Sequence, residues 1–155
     1  MGVTIHFEGR LRTGAELQEF LAQVEVLARK RQWRHERLYD RPDRPATGFV
    51  TYPHPECEPL KFAFDQKGRL SGWVKTQFAG PEKHIEVVEF LRQVQPLLGK
   101  FGVRDKSEYW ATRSKDTLLS HIDAINEVIR EAVENNPSVR SRVHLASGRI
   151  VDYVE

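Results

Sequence analysis

The sequence predicts an α+β fold: two layers, with a mainly antiparallel sheet of about five strands and three helices packed mostly on one face. Two observations carry this. Segments that alternate apolar and polar residues come largely in one consecutive run joined by short turns, which pairs neighbours antiparallel. Three longer segments repeat apolar residues at helical spacing and must cover one face of that sheet. No glycine-rich phosphate loop or dinucleotide fingerprint interrupts the pattern.

Val3, Ile5 and Phe7 alternate with Thr4, His6 and Glu8, the signature of a half-buried strand. Thr13 stands three residues before Glu16, a capping-box spacing that opens a helix. Leu17, Phe20, Leu21, Val24, Leu27 and Ala28 line one face of that helix, which should end near Arg31. Trp33, His35, Arg37 and Tyr39 fit a second strand, and a proline-rich turn from Arg41 to Pro45 leads to a third over Gly48–Tyr52. A fourth strand is expected at Leu60–Phe64, and Asp65-Gln66-Lys67-Gly68 makes a hairpin turn with Gly68 at a positive-φ position.

The next strand is expected to run from Arg69 to Phe78. Pro81 suits the first position of the second helix, whose stripe reads Ile85, Val88, Leu91, Val94, Leu98 and Phe101. Pro96 should kink or stop that helix near Gln95. A short extended piece at Glu108–Thr112 precedes a third helix capped by Ser114 or Asp116. Its stripe is Leu118, Ile122, Ile125, Ile129 and Val133, and Asn135-Asn136-Pro137 ends it. Residues 1–136 thus read as a single domain and 137–155 as a C-terminal tail or short hairpin.

The chain has 155 residues, 39% hydrophobic and 30% charged, enough for one core without disulfides or metals. It has no run of about 18 apolar residues to span a membrane and no secretory leader pattern. The lone Cys57 suits a reducing compartment, so a cytoplasmic location is expected. The net charge of +2 is too small to imply nucleic acid. Its distribution is uneven, with a basic stretch at Arg29–Arg44 and an acidic one at Asp116–Glu134. Opposite patches of that kind steer protein partners or pair copies of one chain.

Three places can carry chemistry. The run Tyr52-Pro53-His54-Pro55-Glu56-Cys57-Glu58-Pro59-Leu60 is stiff and polar, and it holds reactive groups on a loop. His54 and Cys57 have a spacing that suits two ligands of one zinc ion, with His84 as a third. Cys57 as nucleophile would take His84 or His54 as base, and a hydrolase using His54, Cys57 and His84 would take Glu56 or Glu58 as base, but the flanking carboxylates disfavour the thiolate. The plainest reading is a rigid connection, and no cofactor is expected.

The second place is the strand face bearing Trp73, Lys75 and Gln77, a large aromatic with two long polar groups. His84 follows in the first turn of a helix. The third is Asp105, Glu108, Tyr109 and Trp110 before the last helix. His6 and His35, at alternating strand positions, are expected to line one open sheet face, and His121 to border the core. Arg29–Arg44 interleaves Trp33 and Tyr39 with arginines, a composition that also suits single strands of nucleic acid, although a solvated face explains it more simply.

The segments Ile5-His6-Phe7-Glu8-Gly9, Pro53–Leu60 and Val74–Pro81 with His84 resemble a group of small bacterial proteins of unknown function. The resemblance covers most of the first 125 residues and implies a bacterial, cytosolic protein. It implies no activity, cofactor or catalytic residue.

The expectation from sequence is therefore a non-enzymatic protein-binding or accessory, immunity-type module. It engages another protein or a copy of itself through Trp73, Lys75 and Gln77, with His54 and its loop beside them. A metal-dependent or cysteine hydrolase using His54, Cys57 and His84 is the alternative. A weak nucleic-acid binder using Arg29–Arg44 stands third.

Overall fold

The computed structural model describes residues 3–13 and 16–154. Its elements are β1 (Thr4–Arg10), α1 (Leu17–Lys30), β2 (Arg34–Leu38), β3 (Gly48–Tyr52), β4 (Leu60–Ala63), β5 (Arg69–Lys75), α2 (Pro81–Val94), β6 (Lys100–Asp105), α3 (Tyr109–Thr112), α4 (Lys115–Asn135), β7 (Arg140–His144) and β8 (Ile150–Val154). All strand pairing is antiparallel, in the orders β5-β1-β6, β2-β3-β4 and β7-β8. The α+β class holds, but the strands number eight and the α-helices four among the described residues, in place of about five and three.

The first two sheets meet at the turn between β4 and β5. Asp65 Oδ1 accepts from the Lys67 and Arg69 amides, each at 2.9 Å, and Gly68 adopts φ of 75°. A single bridge, Phe64 to Leu70, joins the strands there. β1 thus lies between strands that follow it far along the chain, while β2 to β4 form a local meander.

Alternation sorts the side chains onto two faces. Ile5, Phe7, Phe49, Leu60, Phe62, Leu70 and Val74 point to one side, where Phe20, Leu21 and Val24 of α1 and Val87, Val88, Phe90, Leu91 and Val94 of α2 cover them. Each aromatic or aliphatic group buried this way contributes about 1.5–3 kcal/mol. Phe62 stacks near Phe7, Phe20 and Phe90 at centroid distances of 5.4, 6.0 and 6.3 Å, so one ring joins the sheet to both helices. Opposite lie His6, Glu8, Lys61, Ser71, Trp73, Gly102 and Arg104, and among the described residues no helical residue lines the two clefts around Trp73.

α4 stands outside this sandwich. Leu118 and Ile122 pack on Val3, and Ile129 packs with Phe78 and Ile150 of the C-terminal hairpin. Ser114 caps it by accepting from the Thr117 amide at 3.2 Å. α2 begins at Pro81 and stops at Val94, where Pro96 forces a 3₁₀ turn over Gln95–Leu97.

Several expectations are corrected. Leu98 and Phe101 do not continue α2: Lys100–Asp105 is a strand, with only Phe101 and Val103 to show its alternation. Glu108–Thr112 is not extended, because Glu108 takes φ of 66° and starts a single helical turn. β5 stops at Lys75, and Gln77–Ala79 is a 3₁₀ turn. α1 has Glu16 at its N-cap without a side-chain cap. Residues 14 and 15, inside the expected capping box, lie outside the described residues. His6 and His35 are on opposite faces, since His35 packs against the core residue Phe49 at 5.6 Å while His6 lies on the open side.

A Cβ at Gly48 would lie 2.5 Å from the Phe62 carbonyl oxygen, so β3 and β4 approach closely only because that position has no side chain. Gly48→Val should cost about 1–3 kcal/mol. Calorimetry should show a lowered Tm, by about 2–4 °C for each kcal/mol in a chain of this size. An unchanged Tm would contradict this packing.

Candidate functional site

His84, in the first turn of α2, is fully buried. Its Nδ1 lies 2.5 Å from Thr76 Oγ1, and its Nε2 lies 3.0 Å from both Asp105 Oδ2 and Ser107 Oγ. The Ser107 hydroxyl lies 2.6 Å from Asp105 Oδ1, and Asp105 Oδ2 also accepts from the Trp110 amide at 3.0 Å. Serine, histidine and aspartate are therefore together, but not as a charge-relay triad. In a triad the nucleophile and the carboxylate meet opposite ring nitrogens. Here Ser107 and Asp105 share Nε2, and Thr76, Ser107 and His84 are all closed to solvent.

This cluster ties β5, α2 and β6 together. Burial alone would raise the Asp105 carboxyl, but its hydrogen bonds to His84 and Ser107 outweigh burial and hold it below the ordinary carboxylate range.

The proline-rich loop has another role. Glu58 is only 2% exposed, and one of its oxygens accepts from the Lys75 amide at 3.0 Å. The other accepts from the Ile150 amide at 2.8 Å and from Arg149 Nε at 2.9 Å. Glu56 pairs with His144 at 3.3 Å, and a Cβ on Gly148 would meet the Pro59 ring at 3.1 Å. The loop is the platform on which the chain's own β7–β8 hairpin docks.

That docking covers part of the face expected to be open. Lys75 and Gln77 are 6% and 2% exposed, not solvent-facing. Lys75 Nζ donates to Asp152 at 2.8 Å and to the Ile150 carbonyl at 2.9 Å. Gln77 donates to the same carboxylate at 2.9 Å and accepts from the Val3 amide.

Cys57 is buried and His54 half-buried. The Cys57 thiol donates to the Glu58 carbonyl at 3.3 Å. Burial and then the Glu58 charge, against some opposition from Lys83, push it up to about 12. His54 Nδ1 accepts from the Glu56 amide at 3.0 Å. His54, Cys57 and His84 thus each have separate partners. Among the described residues no three His, Cys, Asp or Glu side chains gather closely enough to hold a metal ion.

Trp73 differs. It is 46% exposed on β5, with the Arg149 guanidinium 5.1 Å from its ring centre. A cleft of about 400 Å³ on one side is lined by Pro59, Lys61, Ala63, Gly72, Trp73 and Arg149. A second, of about 290 Å³, shares Ser71, Gly72 and Trp73 and adds His6, Glu8, Gly102 and Arg104. Burial and then the charges of Lys106, Arg104 and Arg149 lower His6, and His6, Arg104 and Lys106 line one neighbouring cleft together.

In the Arg29–Arg44 stretch Arg29, Lys30, Arg34, Arg41 and Arg44 are exposed. Trp33 is buried, Arg31 lies over Trp33 and Phe90, Arg37 bonds Glu25, and Arg34 covers Tyr52. His121 is half-buried next to the core residue Ile122 and pairs with Glu108 at 3.0 Å.

Sequence reasoning missed Arg104, Lys106, Ser107, Arg149 and Asp152. Asp152 carried a signal, because it shares a strand face with the buried Ile150 and an inward carboxylate needs a cation. The others depend on β6 and on the docked hairpin.

No family model matches the chain, and comparisons with curated proteins and with solved structures give no significant match. Among the described residues no helix is long and apolar enough to cross a membrane.

Two outcomes are expected. Asp105→Asn places an amide donor among donors and should cost about 1–3 kcal/mol at neutral pH, read by urea unfolding. Because the folded carboxyl is lowered, its contribution is complete above the unfolded value of about 3.9 and lost as pH falls through the folded one. The native protein should therefore lose this contribution on acidification below about pH 4, and the variant should show a flatter acid limb. Separately, Cys57 should react with a disulfide reagent slowly in the native state and rapidly in denaturant; rapid native labelling would return it to candidacy as a nucleophile.

Proposed function

We propose that this chain is a non-enzymatic binding module that holds an anionic partner on its open sheet face. The observation that carries this reading is the half-exposed Trp73, set between two clefts lined by Lys61, Arg149 and Arg104, with Lys106 beside Arg104 in a neighbouring cleft. A large aromatic beside arginine is the residue combination that dominates binding energy at interfaces. Concentrated cations raise the local concentration of an anionic partner even when the whole chain is nearly neutral.

The burial of the reactive groups supports the same reading. Thr76, His84 and Ser107 are saturated by one another and by Asp105, and the Cys57 thiol is held protonated. A hydrolase would require an acid, base or nucleophile within reach of a substrate.

Retention on immobilised heparin, a generic polyanion, tests this. Joint reversal of Arg104 and Lys106 to glutamate should lower the eluting salt concentration well below that of the native protein. The same reversal at the exposed Arg29 and Arg44 should lower it less. Equal effects of the two pairs, or native protein that flows through at low salt, would sink the proposal.

A further inference from the structure

We infer that the anionic partner held on the face around Trp73 is single-stranded RNA, with a base stacked on the indole. The inference rests on the binding reading above and names its ligand. The floor beside the Trp73 ring is made by Ala63, Ser71, Gly72 and Gly102, small residues that leave the ring standing above a shallow surface. A flat base can lie there against the part of the indole that Arg149 leaves exposed, and every base offers a face for this contact.

Cations flank the indole on both sides. Lys61 lines the first cleft beside Arg149, whose guanidinium is paired to Glu58, and Arg104 lines the second, with Lys106 beside it in a neighbouring cleft. A chain that places one base on the indole carries phosphates away in both directions, and each direction meets positive charge. A folded acidic protein has no similar need for cations on either side of one planar group.

Glu8 distinguishes RNA from DNA. It is exposed and lines the second cleft, and among the described residues no cation pairs with it. A carboxylate there repels phosphate but accepts a hydrogen bond from a ribose 2′-hydroxyl, which deoxyribose lacks. Its place within a basic face is therefore a mark of ribose.

The test uses the full chain and a labelled oligouridylate of about twelve nucleotides. Anisotropy should rise on binding, with intrinsic tryptophan fluorescence quenched, since Trp73 is more exposed than Trp33 or Trp110. Affinity should fall with salt at a slope of about −0.7 per phosphate contact, about −2 for Lys61, Arg104 and Lys106 together. Trp73→Ala should weaken binding about ten-fold or more, while Trp73→Phe keeps most of it. Glu8→Gln should bring the matching oligodeoxyuridylate closer to the RNA by weakening the latter. Thermal unfolding of each variant shows whether the fold is retained.

No anisotropy change, binding indifferent to Trp73→Ala, or equal affinity for the deoxy probe would each overturn the inference. A poly-glutamate peptide that competes as well as the RNA would point to an acidic protein and also overturn it. Heparin retention that depends on Arg104 and Lys106, without RNA binding, would sink this inference and leave the broader binding reading standing. Loss of both would remove the two together.

Discussion

The buried carboxylate of Glu58 is the constraint on which the arrangement of the binding face depends. A charge so far from water is stable only when donors surround it. Those donors come from three places: the Lys75 amide on β5, and the Arg149 side chain and Ile150 amide at the entry to β8. Glu58 also donates its own amide to the Lys75 carbonyl at 3.0 Å, which fixes the loop against the strand. The hairpin then brings Asp152 onto Lys75 and Gln77, completing a polar layer where an uncovered sheet would have faced water. The prolines of the loop hold this carboxylate in place without joining the sheet ladder.

The second polar cluster shows why residue identity is a poor guide to activity. Ser107, His84 and Asp105 are within hydrogen-bond distance, as in a hydrolase, yet the ring presents the same nitrogen to both partners. The remaining nitrogen meets Thr76, itself fully buried. With no solvent-facing lone pair or hydroxyl, the cluster fastens the β6–α3 turn to the start of α2. Its contribution is conformational: it keeps the strand beneath Arg104 in register with β1.

Much of the fold was legible because local chemistry and tertiary packing agree there. Gly48–Tyr52, the Asp65–Gly68 turn, the start of α2 at Pro81 and its stop before Pro96 follow from residue type alone. β6 was not legible. Phe101 sits three residues after Leu98 and seven after Val94, so it also fits the preceding helical stripe, and only its pairing with β1 decides. The site divided in the same way. Trp73 could be found by strand alternation, whereas the burial of Lys75 and Gln77 depends on a hairpin about 75 residues further along. No local pattern encodes which surface a distant segment will cover.

The position of β1 has a consequence for how the chain reaches this state. It is the centre of its sheet, yet its partners begin at residues 69 and 100. Closing such loops costs entropy before any pairing returns it, so sheets of high sequence separation form slowly. The β2–β4 meander can collapse early against α1, while β1 keeps both hydrogen-bonding edges unsatisfied. During that interval its apolar side, Ile5 and Phe7, has no cover. The strand that organises the finished sheet is thus the one most exposed to mispairing while the protein folds, and a factor that shields its edges would act on yield without touching the native state.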